Sequence, residues 1–176
     1  IGQYAFSYCS GLKKIQFTDS ITVIDEYAFY YCSGINGTLT LPNSITTIKS
    51  GAFCRCTGIQ GTLIIPDSIS KIEEKAFSYC SGFDNLVLSQ NLTEIESHVF
   101  ENCYKLASLT IPESIKSIGP YAFYYCLGIK GTLIIPDNVV DVSEGAFSYC
   151  TGLTDFQMSR NINTIKCTEY KKFEYK

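Results

Sequence analysis

The sequence predicts an α/β repeat solenoid, with one short strand and one short helical turn per repeat and a curved parallel β-sheet along one face. Three observations carry this expectation. A phenylalanine recurs at near-constant spacing, a cysteine follows it at a fixed offset, and a period-two apolar pair lies between each cysteine and the next phenylalanine.

Phe6, Phe29, Phe53, Phe77, Phe100, Phe123 and Phe147 recur at sequence intervals of 23, 24, 24, 23, 23 and 24. Three positions after them come Cys9, Cys32, Cys56, Cys80, Cys103, Cys126 and Cys150, and Ala precedes each Phe except at Val99. Positions three apart share one side of a helical turn, so the Ala-Phe-x-x-Cys segment is expected to be such a turn with Phe and Cys facing inward.

The strand signal is the alternation in Leu39/Leu41, Leu63/Ile65, Leu86/Leu88, Leu109/Ile111 and Leu133/Ile135, with Ile15/Phe17 and Phe156/Met158 as the end copies. Residues two apart in a strand point to one face. Pro42, Pro66, Pro112 and Pro136 follow directly and stop the strand, because proline lacks an N–H and fixes φ. A second apolar pair comes three positions apart, as Ile45/Ile48, Ile69/Ile72, Ile115/Ile118 and Val139/Val142. The longer repeats carry Gly34-Ile35-Asn36-Gly37, Gly58-Ile59-Gln60-Gly61 or Gly128-Ile129-Lys130-Gly131, where glycine accommodates the extra residue in a loop. No single repeat buries both its strand face and its Phe side. Stacking does, and seven strands at about 4.8 Å spacing give a sheet roughly 30 Å long.

The 176 residues carry a net charge of −3 with no block of like charges, which argues against nucleic acid as a partner. No apolar run reaches membrane-spanning length, so no membrane insertion is expected within this segment. The basic residues Lys171, Lys172 and Lys176 are interleaved with Phe173, Glu174 and Tyr175 and suit a solvated chain end. Residues 1–176 are expected to form one array of about seven repeats, uncapped at both ends and part of a longer one.

The pattern Cys-x-x-Leu-x-x-Leu-x-Ile-Pro-x-x-Ile-x-x-Ile-x-x-x-Ala-Phe resembles the BspA-like leucine-rich repeat, also called the Treponema-type repeat. The resemblance runs to Tyr170, which stands where an eighth copy would have its Phe. It implies a right-handed leucine-rich-repeat solenoid of the kind found in surface proteins of mucosal bacteria and protozoan parasites, some of them adhesive toward host proteins. It implies no catalytic residues.

Nine cysteines admit a disulfide framework, a zinc site or a ladder of reduced, buried thiols. Bridges between repeats are disfavoured if the helical sides pack roughly 8–10 Å apart. No paired Cys-x-x-Cys is present for zinc, which leaves the reduced ladder, with the thiols acting as small hydrophobes. Cys54 and Cys167 fall off the ladder and are expected to be exposed. Tyr8, Tyr31, Tyr79, Tyr125 and Tyr149 precede ladder cysteines, with Arg55 and Asn102 at the same position in other copies, so this position is expected to be partly wet. Either it is amphipathic packing or a contact ridge. Asn36-Gly37-Thr38 and Asn91-Leu92-Thr93 are glycosylation sequons of a kind chance also supplies. With a single His98, no nucleophile elbow and no phosphate-cradling glycine loop, neither catalysis nor a cofactor is indicated.

The outward strand positions Gln16, Thr40, Ile64, Val87, Thr110, Ile134 and Gln157 are expected to align as one exposed row. Lys14, Thr38, Thr62, Asn85, Ser108, Thr132 and Asp155 flank it. Ile64, Val87 and Ile134 make an apolar centre in an uncharged polar row. β-propensity alone selects such residues; so does a protein-binding face. The function expected is a non-enzymatic protein-binding scaffold, displayed at the cell surface or secreted and engaging protein partners through this row. The alternative is an intracellular rod or spacer in a large assembly.

Overall fold

The structure, a computed structural model, describes the backbone of residues 1–165 and the side chains of residues 1–163. Cys167, Tyr170 and Phe173 of the decaying eighth copy, and the basic chain end, lie outside the described residues. In chain order the strands are β1 (Val23–Ile24), β2 (Thr47–Ile48), β3 (Gly61–Ile64) and β4 (Lys71–Ile72). They continue as β5 (Phe83–Val87), β6 (Glu94–Ile95), β7 (Ser117–Ile118) and β8 (Gly131–Ile134), then β9 (Asp141–Val142), β10 (Leu153–Gln157) and β11 (Thr164–Ile165). All described pairings are parallel and link successive turns of a β-solenoid.

Two ladders run along the stack rather than one. The longer strands fall on the Leu-x-Leu phrase, where β3 pairs with β5 and β8 with β10, and isolated bridges join Gly37 to Ile59 and Asn85 to Ser108. The second ladder is built from the apolar residues after the proline: β1-β2-β4 and β6-β7-β9-β11. A tight turn between the two phrases explains their three-residue spacing. Ile45 N–H donates to Pro42 C=O (3.2 Å), Ile69 to Pro66 (2.9 Å), Ile115 to Pro112 (3.1 Å) and Val139 to Pro136 (3.0 Å). The chain bends at the proline and emerges extended, so both apolar residues of the pair face the core.

The extra residue of the longer repeats sits in the expected loop. Gly37, Gly61 and Gly131 take φ of +79°, +70° and +77°, the left-handed region that glycine enters without a Cβ clash. The pairing of β3 with β5 and of β8 with β10 shifts register beside this loop.

The expected helical turn is not helical; among the described residues there is no helix. Ala-Phe-x-x-Cys folds as consecutive tight turns whose amides alternate in direction. Tyr27, Phe29 and Tyr31 N–H donate to Ser50, Ala52 and Cys54 C=O of the next rung at 3.0, 2.8 and 2.8 Å. The intervening Ala28, Tyr30 and Cys32 N–H donate back to Asp25, Tyr27 and Phe29 C=O at 3.2, 3.0 and 3.2 Å. A helix needs every amide within its own segment, whereas half of these bond along the stack. Left-handed residues make the alternation possible: Tyr27 and Tyr31 have φ of +53° and +59°, and the equivalent residues of the other rungs do the same.

The core is a set of straight columns. Phe6, Phe29, Phe53, Phe77, Phe100, Phe123 and Phe147 stack near-parallel with centroids 5.2–5.8 Å apart, an offset geometry that aromatic quadrupoles favour. Ala28, Ala52, Ala76 and Ala122 are fully buried beside them, and Val99 fills the same position at Phe100. The rungs on this side are one hydrogen bond apart, closer than packed helices would be. The expected 8–10 Å separation of the repeats on this side is therefore not found, and it does not keep the cysteines apart. What the structure shows instead is direction: each buried ladder thiol points at a carbonyl. Cys32, Cys56, Cys80, Cys126 and Cys150 Sγ donate to the C=O of Phe6, Phe29, Phe53, Phe100 and Phe123 at 2.9, 3.0, 3.0, 3.2 and 3.2 Å. Parallel side chains in register also keep neighbouring Cβ atoms about 4.8 Å apart, beyond the disulfide span of about 3.8 Å.

Burial pushes the Cys80, Cys103 and Cys126 thiols well above their ordinary value and Cys150 to about 12. Only the thiolate reacts, so reaction of the native chain with an aromatic disulfide reagent at pH 8 should label exposed Cys9 rapidly. The six buried ladder thiols should react at least about 100-fold more slowly and appear only on unfolding. Rapid labelling of Cys80 in the native state would contradict the packing described.

Candidate protein-binding face

Every residue of the expected row is exposed: Gln16, Thr40, Ile64, Val87, Thr110, Ile134 and Gln157 all face solvent, while Leu63, Ile65, Leu86, Leu88, Leu133 and Ile135 beside them are buried. In β3, β5, β8 and β10 the alternation is the strand period itself, with one set serving the core and the other the surface; Gln16, Thr40 and Thr110 keep the same exposure outside any strand, so four of the seven expected strands of this phrase form. Ile64 lies directly beside Val87 in the β3–β5 pairing, and Ile134 beside Gln157 in β8–β10. The Asn85–Ser108 bridge carries the same register onward and sets Thr110 next to Val87. The apolar centre is therefore in two parts, an Ile64–Val87 pair and a separate Ile134, with the Thr110 rung between them.

The three are half in solvent, at 52, 50 and 57 % exposure, which is unusual for isoleucine and valine in a packed array. The flanking residues are exposed too, except half-buried Thr62, and Ser108 Oγ lies 3.3 Å from Asn85 Oδ1. Lys14 and Asp155 are the only charges in the two rows and lie at opposite ends. A shallow depression of about 280 Å³ lies between Thr38–Leu41 and Thr62, Ile64 and Pro66, so this end of the face offers relief as well as a flat sheet.

The turn side carries a second surface. Cys54, expected to be exposed, is buried there, and burial pushes its thiol up to about 11. Its column, the residue after each Phe, is shaded on both sides by two columns of left-handed residues. One holds Tyr4, Tyr27, Gly51, Lys75, His98, Tyr121 and Gly145; the other holds Tyr8, Tyr31, Arg55, Tyr79, Asn102, Tyr125 and Tyr149. The tyrosine position is partly wet, as expected, but Asn102 is buried. The first of these columns went unremarked in the sequence, although the alternation of glycine with tyrosine, lysine and histidine at one repeat position is a signature of left-handed φ.

Among the described residues no three His, Cys, Asp or Glu side chains group to hold a metal, and no helix is long and apolar enough to cross a membrane. A parallel solenoid with one repeat per turn, its Leu-x-Leu strands buried inward and an exposed strand row outward, is a leucine-rich-repeat scaffold. The family of the BspA type leucine rich repeat region matches residues 1–130 and 130–174 in six copies, and the chain belongs to that family.

Among solved structures the chain is similar to the leucine rich repeat protein TpLRR of T. pallidum, at 28 % identity and a TM-score of 0.72, covering 81 % of this chain and 64 % of that one. A leucine rich cell surface protein from Faecalibacterium prausnitzii matches at 22 % identity and a TM-score of 0.53, over 89 % of this chain and 62 % of that one. A leucine-rich repeat protein from Eubacterium ventriosum matches at 15 % identity and 0.60, over 85 % and 44 %. The last two likenesses show the fold. The chain thus spans less than two thirds of the length of each of these proteins. No curated protein matches it in sequence.

Proposed function

We propose that the chain is a non-enzymatic protein-recognition module, displayed at the cell surface, which binds partner proteins through the row Gln16, Thr40, Ile64, Val87, Thr110, Ile134 and Gln157. The observation that carries this is the half-exposed Ile64, Val87 and Ile134 within an otherwise uncharged, polar strand row. Burying such a row against a partner removes apolar area from water, with hydroxyl and amide groups at its edges for hydrogen bonds and no charge to desolvate at the centre. A repeat array also favours binding over catalysis: each rung contributes the same residue types in the same places, which builds broad surfaces rather than a unique reacting cluster. The surface location draws on the F. prausnitzii relative, which is described as a cell surface protein, and is part of the proposal.

The test is the double variant Ile64→Asp/Ile134→Asp, compared with the unaltered chain for binding to mucosal epithelial cells by flow cytometry. The unaltered chain should bind saturably, and the variant at least about 100-fold more weakly, because a carboxylate buried unpaired in a complex costs several kcal/mol. Equal binding by a folded variant would move recognition off this face. Absence of binding by either would remove the adhesive reading.

A further inference from the structure

The turn-side groove has a feature the sheet face lacks: a cation held between aromatic rings that, among the described residues, forms no salt bridge. Arg55 stands in a column otherwise filled mainly by tyrosine, and its guanidinium carbon lies 4.4 Å from the Tyr79 ring centroid and 5.8 Å from that of Tyr31, one rung to either side. Both faces of the guanidinium are thus covered by aromatic rings, an arrangement favoured by cation–π attraction. Its edge remains. Among the described residues no carboxylate, carbonyl or hydroxyl accepts a hydrogen bond from the Arg55 side chain, although the guanidinium carries five N–H donors in a planar fork. Surface arginines ordinarily sample many rotamers, and contact with flanking rings narrows that choice before any ligand arrives.

The surroundings suit a carboxylate. Arg55 forms one wall of a groove of about 420 Å³, with Cys54 and Ser78 on its floor and Lys75 on the opposite wall, and the groove continues past Tyr30 to Tyr4 and Tyr8. Arg55 is the strongest charge acting on the Cys54 thiol, with Glu101 and Lys75 acting more weakly and in opposite directions, so the positive end of the floor lies beside Arg55. Lys75 is shared with Glu74, so Arg55 is the free member of the two. The one acid in the groove, Glu101, is already held by His98 Nδ1 at 3.1 Å and by Ser78 Oγ at 3.2 Å. The small floor residues leave the space above Cys54 open, two rungs long between Tyr30 and Glu101.

The rest of the groove distinguishes a peptide from a sugar. Tyr4 stacks on Tyr27 and Tyr8 on Tyr31, with centroids 5.2 and 5.5 Å apart, so the rings cover one another's faces. A sugar ring stacks on an open aromatic face; around Arg55 the Tyr31 and Tyr79 rings are turned to the guanidinium, and open face is left at the first rung, where Tyr4 and Tyr8 are 54 and 65 % exposed. Tyrosine edges beside a fixed arginine are the composition of protein-interface hot spots.

We propose that this groove is a second, independent docking site, which takes an extended acidic segment of a partner protein with one Asp or Glu carboxylate on the guanidinium edge of Arg55. The site lies on the opposite side of the rung from the strand row and does not depend on it.

The test uses the whole chain and a fluorescein-labelled, C-terminally amidated octapeptide of alternating Glu and Ala, with the Gln-for-Glu peptide as control, read by fluorescence anisotropy in low salt. The Glu peptide should bind saturably and at least tenfold more tightly than the Gln peptide, and should weaken as salt is raised. Arg55→Tyr should reduce Glu-peptide affinity at least tenfold, since charge-assisted hydrogen bonds are lost. That variant keeps the ring column, because tyrosine stands at the same position in five of the seven copies. Should it fail to fold, Arg55→Asn replaces it, asparagine being the residue at Asn102. Ile64→Asp/Ile134→Asp should leave the affinity unchanged within twofold, which separates this site from the strand row. The proposal is overturned by equal binding of the two peptides, by no measurable binding of the Glu peptide, or by Arg55→Tyr binding as tightly as the unaltered chain. Binding of inorganic phosphate or sialyllactose at Arg55, with no competition from the peptide, overturns it equally.

Discussion

Replacing Phe77 with alanine should destabilise the array by about 3–5 kcal/mol, the range for deleting a fully buried aromatic side chain. Phe77 is completely buried, and its ring is held between Phe53 at 5.3 Å and Phe100 at 5.8 Å. Neither neighbour can readily close the gap, because each is held by its own backbone hydrogen bond, Phe53 N–H to Ala76 C=O at 2.8 Å and Phe100 N–H to Ala122 C=O at 2.9 Å. The position is also where the second ladder is interrupted: β4 pairs with β2 and β6 with β7, but β4 and β6 do not pair. Apolar stacking therefore carries more of the coupling between rungs here than elsewhere, and a solenoid's stability is a sum of such nearest-neighbour terms. Phe6→Ala is the comparison. Its ring stacks on one phenylalanine, Phe29, instead of two and is 42 % exposed, so the cost should be about 1 kcal/mol. Equilibrium urea denaturation followed by far-UV circular dichroism measures both. Equal losses at the two positions would show that the phenylalanine column is not the element that couples the rungs.

How much of this was legible in the sequence differs sharply between the two sides of a rung. The strand side was legible because its period is two and is read directly: Leu63 and Ile65 inward, Ile64 outward, and all seven row residues fall where that alternation puts them. The turn side was not, because a three-residue spacing has two causes. A helical turn brings residues three apart to one side, and so does a run of tight turns with alternating amide directions, as in Phe29-Tyr30-Tyr31-Cys32. Ile45/Ile48 posed the same ambiguity, and a proline-initiated turn followed by an extended pair was its resolution. The discriminating clue was local: Gly51 and Gly145 share a repeat position with tyrosines, and both have positive φ. A helix interior disfavours glycine, while a left-handed turn position welcomes it. Arg55 shows the limit of pattern reading. Its place in the tyrosine column was evident, but that it forms no salt bridge among the described residues follows from what surrounds it in three dimensions.

The other large effect is a contrast between two adjacent residues. Leu63→Asp should abolish folding of the central rungs, with a loss above about 4 kcal/mol, while Ile64→Asp should cost under about 1 kcal/mol, the span of strand propensity at an exposed site. The substitutions introduce the same carboxylate one residue apart in β3. Leu63 is fully buried between the columns of the core, where no donor is available to a carboxylate and the group must either be protonated or drag water inward. Ile64 points the other way, with more than half its surface in water, so an aspartate there keeps its hydration and gives up only partial contact with Val87. Leu133→Asp and Ile134→Asp repeat the experiment in β8 and should divide in the same way. Thermal melts of the four single variants decide it. If Ile64→Asp proved as destabilising as Leu63→Asp, the strand row would be packed rather than presented, since a one-residue slip exchanges the two faces, and a partner surface built on Ile64, Val87 and Ile134 would lose its basis.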